Sequence, residues 1–149
     1  MNYLETFQKG MAFDLGATTV TEEEIVAFGR QFDPQVFHVD PDAAKATPFG
    51  GVIASGWHTC GIFMRLLVDS VLAQTAGLGG LGMDAMQWTV PVRPNDTLSA
   101  RATVVEARPS RSIADAGILG LRCELTNQRD ELVWHTTAWS LVRRTTSTR

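Results

Sequence analysis

The chain is poor in the residues that mark a stapled, membrane-spanning or nucleic-acid-binding protein. Its 149 residues include only two cysteines, Cys60 and Cys123. They lie far apart with no CxxC spacing, so neither a disulfide framework nor a zinc site is signalled, and both read as buried free thiols. Apolar runs are broken by Gly, Asp, Arg or Gln well short of the roughly 18 residues that a membrane span needs. The first residues, MNYLETFQKGMAF, lack a basic stretch followed by an apolar core, so no secretory signal is expected and a cytoplasmic setting is. Thirteen Lys and Arg against sixteen Asp and Glu give a net charge of −3. That balance lacks the basic stripe of a nucleic-acid binder, and Arg143 and Arg144 are too few to supply one. No repeat, low-complexity segment or linker divides the chain, so one domain over residues 1–149 is expected.

What is present suits an ordinary globular core. Hydrophobic residues make up 44% and charged residues 19%, and a chain of this length buries about two thirds of its unfolded surface. Phe13 to Thr19 reads as a short strand. Thr21 followed by Glu24 reads as a capping box opening an amphipathic helix that ends near Arg30. Pro34 biases Asp33 out of the helical region, and Asp40-Pro41 is suited to cap and begin a second short helix through Ala44. After a Gly-rich loop from Thr47 to Ser55, a long helix is expected from about Gly56 to Ala76. It is apolar around nearly its whole circumference and should therefore be central and enveloped. Gly77 to Gly82, GLGGLG, follows a helix and precedes a strand, the wrong order for a dinucleotide loop, and reads as a helix stop and strand entry. Strands are expected at Met86–Val92, Leu98–Ala107, Ile118–Thr126 and Leu132–Val142, joined as an antiparallel meander. The fold class is α+β, with an antiparallel sheet wrapped around a long helix.

Several motifs then fall in a family's order and spacing. Asp33 is followed five residues later by His38, then by VDPDAAKAT, the loop PFGGVIASG, Gly56 at the start of the long helix, and farther on WTVPVRPNDTL. Over nearly its whole length the sequence resembles the MaoC-like dehydratases, hotdog-fold proteins that include the (R)-specific enoyl-CoA hydratases. It departs from the family at Gln35-Val36, where Asn-Pro is common, at Ser55, where the hydratases often place His, and at Asn95, where Gly is usual.

The resemblance implies a single hotdog domain that hydrates a trans-2-enoyl thioester, or dehydrates the 3-hydroxyacyl product. Such chemistry needs a base for water, an acid for Cα, and donors for charge gathering on the thioester oxygen. By analogy Asp33 and His38 hold the water, with Asp33 taking its proton. Ser55, Gly56 and Trp57 form the oxyanion and substrate-binding position, with the Gly56 N–H at the helix start as donor and its missing Cβ leaving room for the thioester. No metal or redox cofactor is implied. Coenzyme A, or an acyl carrier, enters as part of the substrate. A homodimer or a higher oligomer is implied as well.

Other reactive residues have simpler readings. An Asp and a His beside Pro make a common solvated turn, and only the surrounding motifs turn that pair into a site. His58 reads as structural, with the pocket mouth as the alternative, and His135 as a surface or sheet-face residue. Cys60 and His58, two apart on a helix, do not face each other as a nucleophile and base would. Arg65, Arg93 and Arg101 are as well suited to be surface charges as to meet coenzyme A phosphates. Two further functions stay open: a hotdog thioesterase, and a non-catalytic acyl-thioester-binding subunit of a heterodimeric dehydratase. Acyl length and branching are not encoded legibly.

Overall fold

A computed structural model describes residues 1–145. In chain order they form β1 (Ala12–Thr19), α1 (Glu22–Phe32), α2 (Val36–Val39), α3 (Pro41–Ala44), α4 (Gly56–Ser70), β2 (Gly77–Trp88), β3 (Thr97–Pro109), β4 (Ala116–Thr126) and β5 (Leu132–Arg143), with 3-10 turns at Leu4–Thr6 and Leu72–Gln74. All strand pairs are antiparallel, in the order β1-β3-β4-β5-β2. The sheet packs one face on α4, giving the hotdog arrangement.

The α1 start behaves as its sequence dictates. Thr21 Oγ1 accepts the Glu24 N–H at 3.1 Å, and the Glu24 carboxylate reaches back to the Thr21 N–H. The helix runs two residues past Arg30, to Phe32, because Asp33 still donates its N–H to the Gly29 carbonyl at 2.8 Å before the chain turns at Pro34. Asp40 caps α3 by accepting from the N–H groups of Asp42 and Ala43. Between them lies α2, a single turn that the sequence did not signal.

Four expectations need correction. The long helix ends at Ser70 rather than near Ala76, and a 3-10 turn follows. Gly77 to Gly82 form the first half of β2, which begins nine residues earlier than its apolar pattern suggested. This strand is irregular: its register with β5 shifts between Gly77 and Gly79, between Gly80 and Gly82, and between Asp84 and Gln87. Gly79 (φ +136°) and Gly82 (φ +153°) occupy left-handed backbone that side chains resist, so glycines here permit bulges instead of ending a strand. The sheet is also not one meander. Only β3-β4-β5 run consecutively, and β2 lies on the far edge beside β5, so Arg93–Asp96 turns the chain without making a hairpin.

Nor is α4 enveloped within one chain. Thr59, Phe63 and Leu67, at helical spacing, are buried against the sheet, with Phe63 packed on Trp134 at 5.0 Å between ring centroids. Burying each large side chain contributes about 1.5–3 kcal/mol. Trp57, Met64 and Val68 remain exposed on the other flank. Among the described residues no helix is long and apolar enough to cross a membrane.

Replacing Thr21 with Ala removes the hydroxyl arm of the capping box and leaves only the backbone N–H bond to the Glu24 carboxylate. It should cost about 1 kcal/mol and lower Tm by about 2–4 °C, readable by thermal denaturation; an unchanged Tm would show that α1 is held by its packing alone.

Candidate active site

The break between α1 and α3 brings Asp33 and His38 together. Asp33 follows the last turn of α1, and α2 turns His38 back so that its Nε2 lies 3.3 Å from Asp33 Oδ2. The close approach depends on Gly29 in α1. A Cβ there would lie 2.9 Å from the His38 carbonyl oxygen and 3.0 Å from both His38 Cβ and Val39 Cγ1. A larger residue would push the histidine away from its partner.

His38 is 4% exposed. Its Nδ1 lies 2.6 Å from the Ile53 carbonyl oxygen. A carbonyl can only accept, so Nδ1 carries a proton, and in the neutral ring Nε2 presents its lone pair to Asp33. The Ile53 segment is itself anchored, with Ile53 donating its N–H to Phe37 and Ala54 to Val92.

Asp33 is bonded on both oxygens. Gln35 Nε2 donates to Oδ1 at 2.8 Å, and the Ser55 hydroxyl donates to Oδ2 at 2.7 Å. These two hydrogen bonds, Gln35 first and then Ser55, hold the carboxyl below the usual aspartate value against the opposing effect of burial, and His38 adds to them only when it is protonated. Ser55 is fully buried and stands at the N-cap of α4, yet its side chain caps nothing in that helix. Its hydroxyl is turned to the aspartate instead.

A cleft of about 380 Å³ opens beside the pair, with Asp33, His38, Gly56, Trp57, Thr59 and Trp88 among its walls. Four expected site residues, Asp33, His38, Gly56 and Trp57, line it directly. Ser55 sits behind Asp33 as its donor. The expectation that Gly56 leaves room for a thioester is corrected: a Cβ at Gly56 would lie 2.6 Å from Trp88 Cε2 and 2.7 Å from Trp88 Nε1. That space is filled by an indole, whose Nε1–H donates to the Gly56 carbonyl at 2.9 Å. Sequence reasoning passed over Trp88, because nothing in a strand pattern says that its ring crosses to a helix start. It also missed the Ile53 carbonyl, which no side-chain motif can reveal.

The remaining candidates are accounted for elsewhere. His58 stacks on Phe28 at 4.9 Å with rings 9° apart, and burial lowers its pKa while Glu24 opposes the shift. Cys60 is half-buried rather than fully so, and its sulfur lies 3.7 Å from Met86 Sδ. Burial pushes its thiol pKa up, the wrong direction for a nucleophile. Burial pushes the Cys123 thiol up to about 12. His135 is half-buried in β5, opposite Gln87 and Glu124. Arg93 donates to the Phe49 carbonyl at 2.6 Å and ties the Gly-rich loop to the chain after β2. Arg65 pairs with Asp69, Arg101 lies exposed on β3, and neither lines the cleft.

The profile of the MaoC like domain matches residues 6–118. The chain belongs to the MaoC-like domain family. It is 30% identical over 141 residues to the uncharacterized protein YdeM of Bacillus subtilis, covering 95% of this chain and 99% of that one. The crystal structure of the MaoC-like dehydratase from Rhodospirillum rubrum is 42% identical, with a TM-score of 0.89 over 97% of this chain and 98% of that one. A shorter match, 32% over 89 residues, is to the 3-hydroxyacyl-thioester dehydratase Z of Mycobacterium tuberculosis, covering 58% of this chain and 59% of that protein.

Because its folded-state pKa is depressed, Asp33 contributes stability that is present above the unfolded carboxylate pKa and lost as pH falls through the folded value. Ser55→Ala and Gln35→Met should each move the Asp33 midpoint to higher pH and narrow that window. A carbon-13 carboxyl titration followed by NMR reads the midpoint directly; coincident curves for wild type and both variants would refute the assignment.

Proposed function

We propose that this cleft adds water to trans-2-enoyl thioesters, giving 3-hydroxyacyl thioesters, and catalyses the reverse dehydration. The observation that carries the reading is the 3.3 Å approach of His38 Nε2 to Asp33 Oδ2, with Nδ1–H held by the Ile53 carbonyl. A carboxylate and a neutral imidazole lone pair facing each other are two acceptors without a proton between them. A water molecule satisfies both by donating one hydrogen to each, and that is the oriented nucleophile the addition requires.

Asp33 takes a proton from this water as its oxygen bonds to Cβ. The electron pair of the double bond moves toward Cα and the thioester oxygen, and a proton returned from the pair to Cα completes the addition. The returning proton is the one taken from water, delivered by the Asp33–His38 pair, whose facing atoms lie 3.3 Å apart. Charge on the thioester oxygen would be met by the first amides of α4, next to Gly56 and Trp57, where helix N–H groups lack helical partners. The Ser55 hydroxyl, turned to Asp33, leaves those amides free. The R configuration of the alcohol is carried over from the (R)-specific hydratases that the sequence resembles, and a hydro-lyase reading accords with the dehydratase named among the relatives. The thioester is borne by coenzyme A or by an acyl carrier.

The assembly proposed is a homodimer of single-domain chains. Eleven of the twelve β2 residues are exposed, on a strand with an unpaired outer edge. Leu78, Leu81, Met83 and Trp88 are exposed on it, as are Trp57, Met64 and Val68 on α4. Apolar exposure of that extent beside an open strand edge suits a second copy. Light scattering should return twice the chain mass, and a monomer at micromolar concentration would exclude the assembly.

Asp33→Asn and His38→Ala should each reduce crotonyl-coenzyme A hydration by about 10²–10⁴-fold while the circular dichroism stays native. The signal is loss of enoyl absorbance without release of free thiol. Thiol release would favour a thioesterase, and full activity in both variants would sink the acid–base assignment.

A further inference from the structure

We propose that Trp88 is the wall that restricts this cleft to short acyl groups, an inference that rests on the acyl-thioester reading of the site. The indole lies against the first turn of α4 in the space a Gly56 side chain would need, and it is fixed there by its bond to the Gly56 carbonyl. Trp57 meets it edge-on at 5.7 Å and 78°. Both rings line the cleft where it meets the first turn of α4.

Beyond that wall the same flank continues as an apolar strip that the cleft does not reach. Cys60 lies one turn after Gly56 on the same helix face, and Met64 one turn further. Met86 lies two residues before Trp88 on β2, and both side chains meet α4, at Cys60 and Gly56 respectively. The 3.7 Å contact of Cys60 with Met86 makes the next rung after Gly56 and Trp88. None of Cys60, Met64 or Met86 lines the cleft. A volume of about 380 Å³ that must also admit the thioester arm is near the lower end for ligand sites. Removing the indole joins the cleft to a strip of flexible, polarizable side chains suited to an alkyl tail.

The test is binding of saturated butyryl-, hexanoyl- and octanoyl-coenzyme A by calorimetry, which needs no turnover. An alkyl chain entering an open apolar channel gains about fourfold in affinity per methylene. Wild type should show no such gain beyond butyryl or hexanoyl. Trp88→Ala should bind octanoyl-coenzyme A about tenfold or more tighter relative to butyryl than wild type does. Trp88→Phe, which keeps a ring in place and serves if the smaller variant folds poorly, should retain the short-chain preference. Affinity in wild type that climbs steadily to octanoyl, or the same length profile in wild type and Trp88→Ala, overturns the inference. Absence of hydration with the binding series intact overturns only the hydratase reading, whereas no binding of any acyl-coenzyme A overturns both.

Discussion

The Ser55 hydroxyl makes one hydrogen bond on which the rest of the site depends. At a helix N-cap a serine ordinarily accepts an N–H from its own first turn. Here it donates to Asp33 Oδ2, 22 residues earlier in the chain. The choice has three consequences at once. It pins the loop after α1 to the start of α4, helps Gln35 keep Asp33 ionised, and leaves the opening amides of α4 without a side-chain acceptor. A histidine at this position, as in many of the hydratases the sequence resembles, would change all three together.

Two glycines set the distances around that bond for opposite reasons. Gly29 is bare because backbone and side chain of the α2 turn press against it, so it fixes how closely His38 can return to Asp33. Gly56 is bare because an indole from another strand occupies its side-chain space. Neither has the positive φ that forces glycine at Gly79 and Gly82. Close approach decides the residue at the site, and backbone conformation decides it in the edge strand.

Local chemistry explains what could be read from the sequence. The Thr21–Glu24 box, the Asp40-Pro41 start and the alternation of β3 are short-range signals, and their elements lie within a few residues of where they were expected. Asp33 and His38 were singled out by the order of the motifs around them, even though α2, which orients the histidine, was not foreseen. The order of strands could not be found this way: a turn between β2 and β3 looks the same whether the strands pair or part. The glycine half of β2 carried no strand pattern, because bulged backbone needs the absence of side chains that pattern reading relies on. Asn95 is the instructive exception. It stands where the family usually has glycine, and its φ of +68° shows the same backbone demand met by the residue type that best tolerates it.

The expectation that α4 would be enveloped was wrong for one chain in an informative direction. A helix apolar on nearly every side must have more than one apolar neighbour, and the sheet covers only the flank of Thr59, Phe63 and Leu67. The uncovered flank, with Trp57, Met64 and Val68, adjoins the exposed edge strand, and the cleft opens at its N-terminal end. In the proposed reading, one surplus of hydrophobicity in the helix serves two purposes, an acyl group near Gly56 and a protein surface farther along. Trp88 stands between the two, its ring on the helix start and its backbone in the edge strand, so the proposed acyl limit and the proposed contact surface meet at the same side chain.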